Sequence, residues 1–215
     1  MKLRFASLSL LALGLMLAAV PAMAQVVYSN GPTNGNTDAW AINFGAIVSD
    51  TFNVTNSSTT ITGADFAMWL FPGDTLTSAR LSITSGPFGG TSYFDQTVNF
   101  TQSGCIGNDF GFNVCTEATS FNGPTLNNGT YWLTLQNGSV PSGDPVYWDE
   151  NSGPSQAFHC CGTIEPGPNA VGTLPSESFT VLGSSSSSTI PEPSDPALFV
   201  SGFVGLAAVL RRKLF

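Results

Sequence analysis

Apolar and polar residues alternate with a period of two along most of the central chain. In residues 78–84 the apolar residues are Ala79, Leu81 and Ile83, and polar residues stand between them. Residues 131–135 repeat the pattern, and no convincing helical period of 3.6 appears in this part of the chain. Side chains two residues apart lie on one face of a strand, so these segments are expected to be strands with one buried face. The pattern predicts an all-β domain.

Turn-forming residues separate the alternating segments. The chain has 23 glycines and 14 prolines among 215 residues, with Asn-Gly pairs at residues 128–129 and 137–138. This composition disfavours long helices and supplies turn conformations. Strand spacing near ten residues predicts an antiparallel β-sandwich of the jelly-roll type for residues 25–183. The candidate strands are residues 39–44, 47–54, 64–71, 78–84, 94–100, 111–116, 130–135, 146–149 and 178–181.

The N-terminal segment has the layout of a secretory signal peptide. It opens with two basic residues, continues with an apolar run over residues 8–20, and closes in Ala-Met-Ala. Signal peptidase accepts small residues of this kind at its cleavage site. The layout predicts cleavage between Ala24 and Gln25, which makes residues 1–24 the signal peptide.

Three features follow one another at the C-terminus. Residues 184–190 form a serine-rich segment, which predicts a flexible linker. The next feature is a tripeptide made of Pro191, Glu192 and Pro193. An apolar run over residues 196–210 then leads to three basic residues, which are Arg211, Arg212 and Lys213. As a helix the run spans roughly 22 Å, less than the ~30 Å hydrocarbon core, so we expect a single short transmembrane helix with its basic end in the cytoplasm.

Residues 191–215 resemble the sorting tail of PEP-CTERM proteins, because the tripeptide, the apolar run and the basic end occur in that order. The resemblance implies export by a Gram-negative bacterium that makes exopolysaccharide. It also implies an inner-membrane intermediate, whose tail is cut by an exosortase-like protease before the protein reaches the cell surface or extracellular matrix. Residues 69–74, 131–135 and 147–153 resemble ectodomains common among these proteins, which implies a shared fold.

The charge of the central chain excludes several functions. Between residues 25 and 190 there are one basic residue, Arg80, and twelve carboxyl groups, so the formal charge is 1 − 12 = −11. Such a surface does not bind nucleic acid or acidic membranes by bulk electrostatics. No Gly-rich loop with a lysine is present, which argues against an enzyme that handles phosphates.

The four cysteines favour disulfide bonds, because an even number in an exported chain is typical of bridges. A hairpin between Cys105 and Cys115 favours their pairing, which leaves Cys160 and Cys161 to bond to each other, although bridges between the two pairs remain open. His159 next to these thiols suggests zinc or a nucleophilic cysteine. That reading is disfavoured, since adjacent strand residues face opposite sides.

Carboxylates are the next candidates. Asp144, Asp149 and Glu150 lie close in sequence and offer the hard oxygen ligands that calcium takes. A glycoside hydrolase needs two carboxylates on either side of the bond. Asp149 and Glu150 would face opposite sides of one strand, so a hydrolase would pair Asp149 with a distant acid such as Asp65 or Asp95.

Three aromatic residues form a candidate sugar platform. Trp132 alternates out of phase with Leu133 and Leu135, which predicts an outward indole or one beneath a loop. Either Trp148 or Tyr93 is expected to support it in stacking on a sugar ring.

Together these observations favour an exported protein without catalytic activity, at the cell surface or in an exopolysaccharide matrix. No cofactor is expected, apart from the calcium alternative above. The expected partners are signal peptidase, an exosortase-like protease, the membrane and extracellular polysaccharide. The alternatives are a carbohydrate-binding module on a β-sandwich and a carboxylate-dependent glycoside hydrolase.

Overall fold

The structure, a computed structural model, describes residues 24–161, 169–170 and 173–185. Residues 1–23 of the predicted signal peptide and the whole predicted sorting tail, including its motif, helix and basic end, lie outside the described residues. Ala24 is exposed and Gln25 is the first residue of a strand. In the described residues, no helix has the length and apolar character needed to cross a membrane.

The described chain is all-β, and its strands pair antiparallel in two sheets. The larger sheet contains β1 (Gln25–Ser29), β2 (Ala39–Ala41), β4 (Thr59–Leu70), β7 (Thr101–Gly107), β8 (Asn113–Ser120), β9 (Thr125–Leu126), β11 (Tyr147–Asn151), β14 (Ser176–Glu177) and β15 (Phe179–Ser185). The smaller sheet contains β3 (Ile47–Val54), β5 (Ser78–Gly86), β6 (Gly89–Asn99), β10 (Gly129–Ser139), β12 (Ala157–Cys160) and β13 (Asn169–Ala170).

β4 is the central strand of the larger sheet. One of its edges pairs with β8 and β9, and the other pairs with β15 and β11. β7 lies outside β8, and β1 lies outside β15. The smaller sheet has the order β13-β12-β3-β10-β5-β6. Because β6 and β7 follow each other across Phe100, the chain passes there from one sheet to the other.

The inward faces of both sheets meet in one hydrophobic core. Leu81, Ile83, Leu133 and Leu135 of the smaller sheet are at most 1% exposed, and they share this core with Phe66 of the larger sheet. Burial of a side chain of this size contributes about 1.5–3 kcal/mol relative to exposure. The period-two pattern therefore identified the buried faces correctly, and the all-β, two-sheet arrangement of a β-sandwich is confirmed.

Two segments differ from the sequence prediction. The pair Asn137-Gly138, a turn signal, lies inside β10, where the pairing with β5 shifts by a bulge. Asn137 has a φ of 55°, a conformation that asparagine tolerates better than most residues. Ser184 and Ser185, assigned to the linker, pair with β4 as part of β15. The folded domain therefore extends to Ser185.

Candidate functional site

The three aromatic residues predicted to bind sugar lie in different places. Trp148 is fully buried, and its Nε1 donates a hydrogen bond to the Ser178 backbone oxygen at 2.9 Å. It lies opposite Met68 of β4, whose side chain belongs to the core. A ring without exposed surface offers no face to a sugar, so the prediction for Trp148 is wrong.

Tyr93 and Trp132 lie on opposite sides of the smaller sheet. Tyr93 is 41% exposed and contacts the inward-facing Tyr131 edge-on, with 5.3 Å between ring centroids. Trp132 follows Tyr131 on β10 and so points to the outer face, where its ring centroid lies 5.6 Å from that of Phe158. The two rings do not form a common platform.

Asp149 holds neighbouring segments together through its carboxylate. Oδ1 accepts hydrogen bonds from Trp69 Nε1 at 2.7 Å and from the Gly35 backbone N–H at 2.8 Å. Oδ2 accepts one from the Asn34 backbone N–H at 2.8 Å. Burial raises the pKa of Asp149, against these hydrogen bonds, which lower it. With both oxygens engaged, Asp149 fixes the loop of residues 33–36 against β4.

Glu150, the next residue of β11, points to the other face, as the alternation predicts. Its oxygens accept hydrogen bonds from Trp40 Nε1 at 2.5 Å and from the Leu174 backbone N–H at 2.9 Å. Asp144 lies before β11, five residues from Asp149, whose two oxygens are already engaged by Trp69, Asn34 and Gly35. Within the described part of the chain, no three His, Cys, Asp or Glu side chains are placed to hold a metal ion. The three calcium candidates do not share a site.

The carboxylate pairs considered for hydrolysis lack an accessible second group. Asp65 lies on β4 opposite Thr180 of β15, but Asp149 has no exposed surface, and both of its oxygens accept hydrogen bonds from Trp69, Asn34 and Gly35. A glycosidase carboxylate must reach the sugar at the scissile bond. Asp95 lies in the smaller sheet, where Arg80 binds it at 2.6 Å and lowers its pKa. Neither acid forms a catalytic pair with Asp149.

A buried acidic cluster occupies the interior near β3 and β14. Asp50, Glu150 and Glu177 have no exposed surface. Asp50 Oδ2 accepts hydrogen bonds from Asn30 Nδ2 at 3.1 Å and from the Glu177 backbone N–H at 2.8 Å. Burial raises the pKa of Asp50 to about 6. Burial and the neighbouring charges, Asp50 first, raise the pKa of Glu177 well above its ordinary value. Since solvent does not reach these groups, they affect folding and not a substrate.

Another buried carboxyl group lies on β8. Glu117 faces the core opposite Phe66 and has no exposed surface. Burial raises the pKa of Glu117 to about 7. Glu117, Asp50 and Glu177 therefore retain protons at pH values where exposed carboxyl groups are ionised.

The cysteine pairing expected from the hairpin is present. The bonds join Cys105 to Cys115 and Cys160 to Cys161. The first bond connects β7 to β8 and confirms the predicted bridge. His159 points inward, and its ring stacks on Trp40 with 3.7 Å between centroids. Cys160 follows on the opposite face of β12, and its sulfur is bonded to that of Cys161.

A cluster of aromatic side chains lies on the outer face of the larger sheet. This aromatic platform consists of Trp69, Phe71, Phe110, Phe112 and Tyr147. The Phe110 ring stacks on Trp69, with 5.5 Å between centroids and 23° between planes. Trp69 is 5% exposed, whereas Phe110 is 57% exposed. Phe110 therefore presents a free aromatic face on a buried aromatic base.

Asn108 fixes the loop that carries Phe110. Its Oδ1 accepts hydrogen bonds from the backbone N–H groups of Phe110 at 3.1 Å and Phe112 at 2.9 Å. Its Nδ2 donates to the Gly35 backbone oxygen at 3.1 Å. One side chain thus connects the β7–β8 hairpin loop to the loop of residues 33–36.

A groove of about 270 Å³ lies between these two loops. This amide groove is lined by Thr33, Asn34, Gly35, Asn36, Gly104, Ile106, Gly107, Asn108, Val114, Cys115 and Thr116. Gly35 has a φ of +71°, and a Cβ there would lie 3.3 Å from Val114, so the close approach of the loop requires glycine. Asn108 belongs to the groove and binds the loop of Phe110, so groove and aromatic platform adjoin.

Sequence reasoning missed both features. Phe110 lies in a turn between two cysteines, where no buried partner is expected, and Phe112 lies near the start of the candidate strand at residues 111–116. A phenylalanine in a short turn is the signal that was present, since turns are usually polar. The groove depends on Asn34 and Asn36, which are more than 70 residues away from Asn108 in sequence.

Comparisons with models of protein families, with curated proteins and with solved structures found no match to this chain. A function for the chain therefore rests on the chemistry of its own residues. Two features carry that chemistry, the aromatic platform and the amide groove beside it.

Proposed function

We propose that this chain is an exported, non-catalytic protein of the bacterial cell surface or exopolysaccharide matrix, and that it binds polysaccharide through the aromatic platform. The observation that carries the proposal is the exposed Phe110 ring stacked on the buried Trp69. A sugar ring has an apolar face of C–H groups that packs on an aromatic ring, and hydroxyl groups that need hydrogen-bond partners. The aromatic platform supplies the ring on which the apolar face packs, and the amide groove supplies hydrogen-bond partners for the hydroxyl groups. We also propose that the strands of the two sheets are connected as in a jelly roll.

Binding to polysaccharide is tested with the purified mature protein. The measurement is affinity for a panel of bacterial and plant polysaccharides by affinity electrophoresis and calorimetry. Phe110→Ala is expected to lower affinity about tenfold, because a lost contact of ~1.4 kcal/mol corresponds to that factor. Trp132→Ala tests the outer face of the smaller sheet, and it should leave binding unchanged.

Phe44→Ala is the matched control for Phe110→Ala. Phe44 is also a strongly exposed phenylalanine, at 64%, and it belongs to a different loop. The proposal requires that Phe44→Ala retain wild-type affinity. Absence of binding to every polysaccharide, or equal losses in the two variants, would overturn it.

The tail supports the second part of the proposal, a temporary membrane anchor. Proline disfavours helix and favours extended backbone, so the tripeptide with Pro191 and Pro193 is suited to the extended conformation in which proteases bind substrates. Arg211, Arg212 and Lys213 hold the C-terminus inside, since each costs roughly 2.5–3.5 kcal/mol at the bilayer centre. An exosortase-like protease then cuts near the tripeptide, after signal peptidase has removed residues 1–24.

Intact-mass measurement and cell fractionation in the native host test this sorting step. Replacement of Pro191, Glu192 and Pro193 by alanines should leave an uncut precursor in the inner membrane. Replacement of the three basic residues by neutral ones should weaken retention before cleavage. A wild-type protein that keeps Phe215 and stays in the inner membrane would show that the tail is a permanent anchor.

A further inference from the structure

We propose that the amide groove makes the protein selective for neutral polysaccharides and binds an uncharged sugar residue next to the one stacked on Phe110. This inference rests on the proposed polysaccharide binding and adds the class of ligand. A groove of about 270 Å³ is slightly smaller than the ~300–1,000 Å³ typical of small-molecule pockets, and it has room for one sugar residue.

The groove is held in place before any ligand arrives. Asn108 ties one wall to the other through the Gly35 oxygen, and Asp149 accepts hydrogen bonds from the backbone of Asn34 and Gly35. The disulfide bond between Cys105 and Cys115 fixes β7 to β8 beside the groove. A preformed site loses little conformational entropy when it binds, so weak individual contacts suffice for recognition.

The side chains that line the groove can form hydrogen bonds with hydroxyl groups, but they offer no opposite charge to a charged ligand. None of the described residues that line it is charged. Asn34 and Asn36 contribute amides, and Thr33 and Thr116 contribute hydroxyls. Amides and hydroxyls both donate and accept hydrogen bonds, as sugar hydroxyls do. Ile106 and Val114 supply apolar surface beside them.

The charge around the groove disfavours acidic polysaccharides. Arg80 is the one Lys or Arg between residues 25 and 190, and it is bound to Asp95 in the smaller sheet. Asp109, next to Phe110, is exposed. A uronate or sulfated polymer therefore meets repulsion from a domain of negative charge, with no cation to offset the lost hydration. A neutral polymer is not repelled by the domain and loses no hydration of charged groups.

The test compares neutral and acidic polysaccharides on the purified mature protein at low ionic strength. The probes are dextran, galactomannan and xyloglucan on one side, and alginate, polygalacturonate and hyaluronate on the other. We expect binding to at least one neutral polymer and none to the acidic polymers. Asn36→Ala should lower the affinity for the neutral polymer about two- to tenfold, the range for one lost hydrogen bond. Asn36→Lys should add measurable binding to alginate.

The controls separate this inference from the proposed function. Asn56→Ala removes an exposed asparagine at the turn between β3 and β4 and should change nothing. Equal binding of acidic and neutral polymers, or wild-type affinity in Asn36→Ala, would overturn the inference. The proposed function would still stand if Phe110→Ala lowers the affinity for polysaccharide. No binding of any polymer would remove both. Self-association that Phe110→Ala abolishes, without polysaccharide binding, would identify the platform as an interface between copies.

Discussion

At the scale of single residues, the side chain of Asn108 holds the two loops of the candidate site together. Asn108→Ala removes three hydrogen bonds, two to the loop of Phe110 and one to Gly35. Each contributes about 0.5–1.5 kcal/mol, so we expect a loss of roughly 1.5–4.5 kcal/mol in unfolding free energy and faster amide exchange at Phe110 and Phe112. Urea unfolding and hydrogen exchange measure both.

Asn108→Asp is the informative companion variant. It keeps an oxygen that accepts from Phe110 and Phe112 but loses the donor to the Gly35 oxygen. We expect an intermediate loss, with protection retained in the hairpin loop. Identical exchange in wild type and Asn108→Ala would contradict the role assigned to this side chain.

At the scale of elements, the β7–β8 hairpin depends on its disulfide because β7 itself is almost wholly exposed. Replacing both Cys105 and Cys115 by serine should lower the unfolding free energy by about 2–3 kcal/mol, the chain-entropy value for a loop of this length. Urea unfolding of the double variant measures the loss, and the proposed export signals at the chain ends predict that secretion is unchanged. Free thiols at these positions in the mature protein, detected by mass spectrometry, would contradict the bridge.

The strands that sequence predicted are those with a buried face. β3 spans Ile47–Val54 as predicted, and Phe94 and Val98 of β6 face the core. β7, which has little buried surface, was missed, and so was β12, which is largely buried but has only four residues. Edge and short strands are held by backbone pairing, which leaves no apolar pattern in the sequence. The disulfide was predictable from spacing, whereas the aromatic platform was not, because Phe110 obtains its base from Trp69 on a distant strand.

At the scale of the whole molecule, buried carboxyl groups determine how stability depends on pH. The pKa of Asp50 is raised to about 6 and that of Glu117 to about 7, so the folded state keeps protons that the unfolded chain has lost. The stability from these groups is complete below pH ~4 and is lost as the pH rises through about 6 and 7. We expect the melting temperature to be several degrees higher at pH 5 than at pH 8, since 1 kcal/mol corresponds to ~2–4 °C.

Glu117→Gln tests the origin of this slope. The glutamine has nearly the same shape and does not titrate, so the fall in melting temperature between pH 5 and pH 8 should become smaller. Asp109→Asn, which changes an exposed carboxyl group, serves as the control and should keep the wild-type slope. A wild-type melting temperature that is constant or rises over this range would contradict the prediction.

The pairing of β1 with β15 has a consequence for mechanical force. Gln25 lies opposite Gly183, so both ends of the described domain leave it side by side, and tension between them opens one hydrogen bond at a time. Tension between Ser185 and the aromatic platform runs along β15 and β4 and loads many hydrogen bonds together. Force on a polysaccharide bound at the platform, with the C-terminal end of the domain held, would act in the second direction. Force spectroscopy should therefore show a higher unfolding force with handles at residues 185 and 73 than with handles at residues 25 and 185.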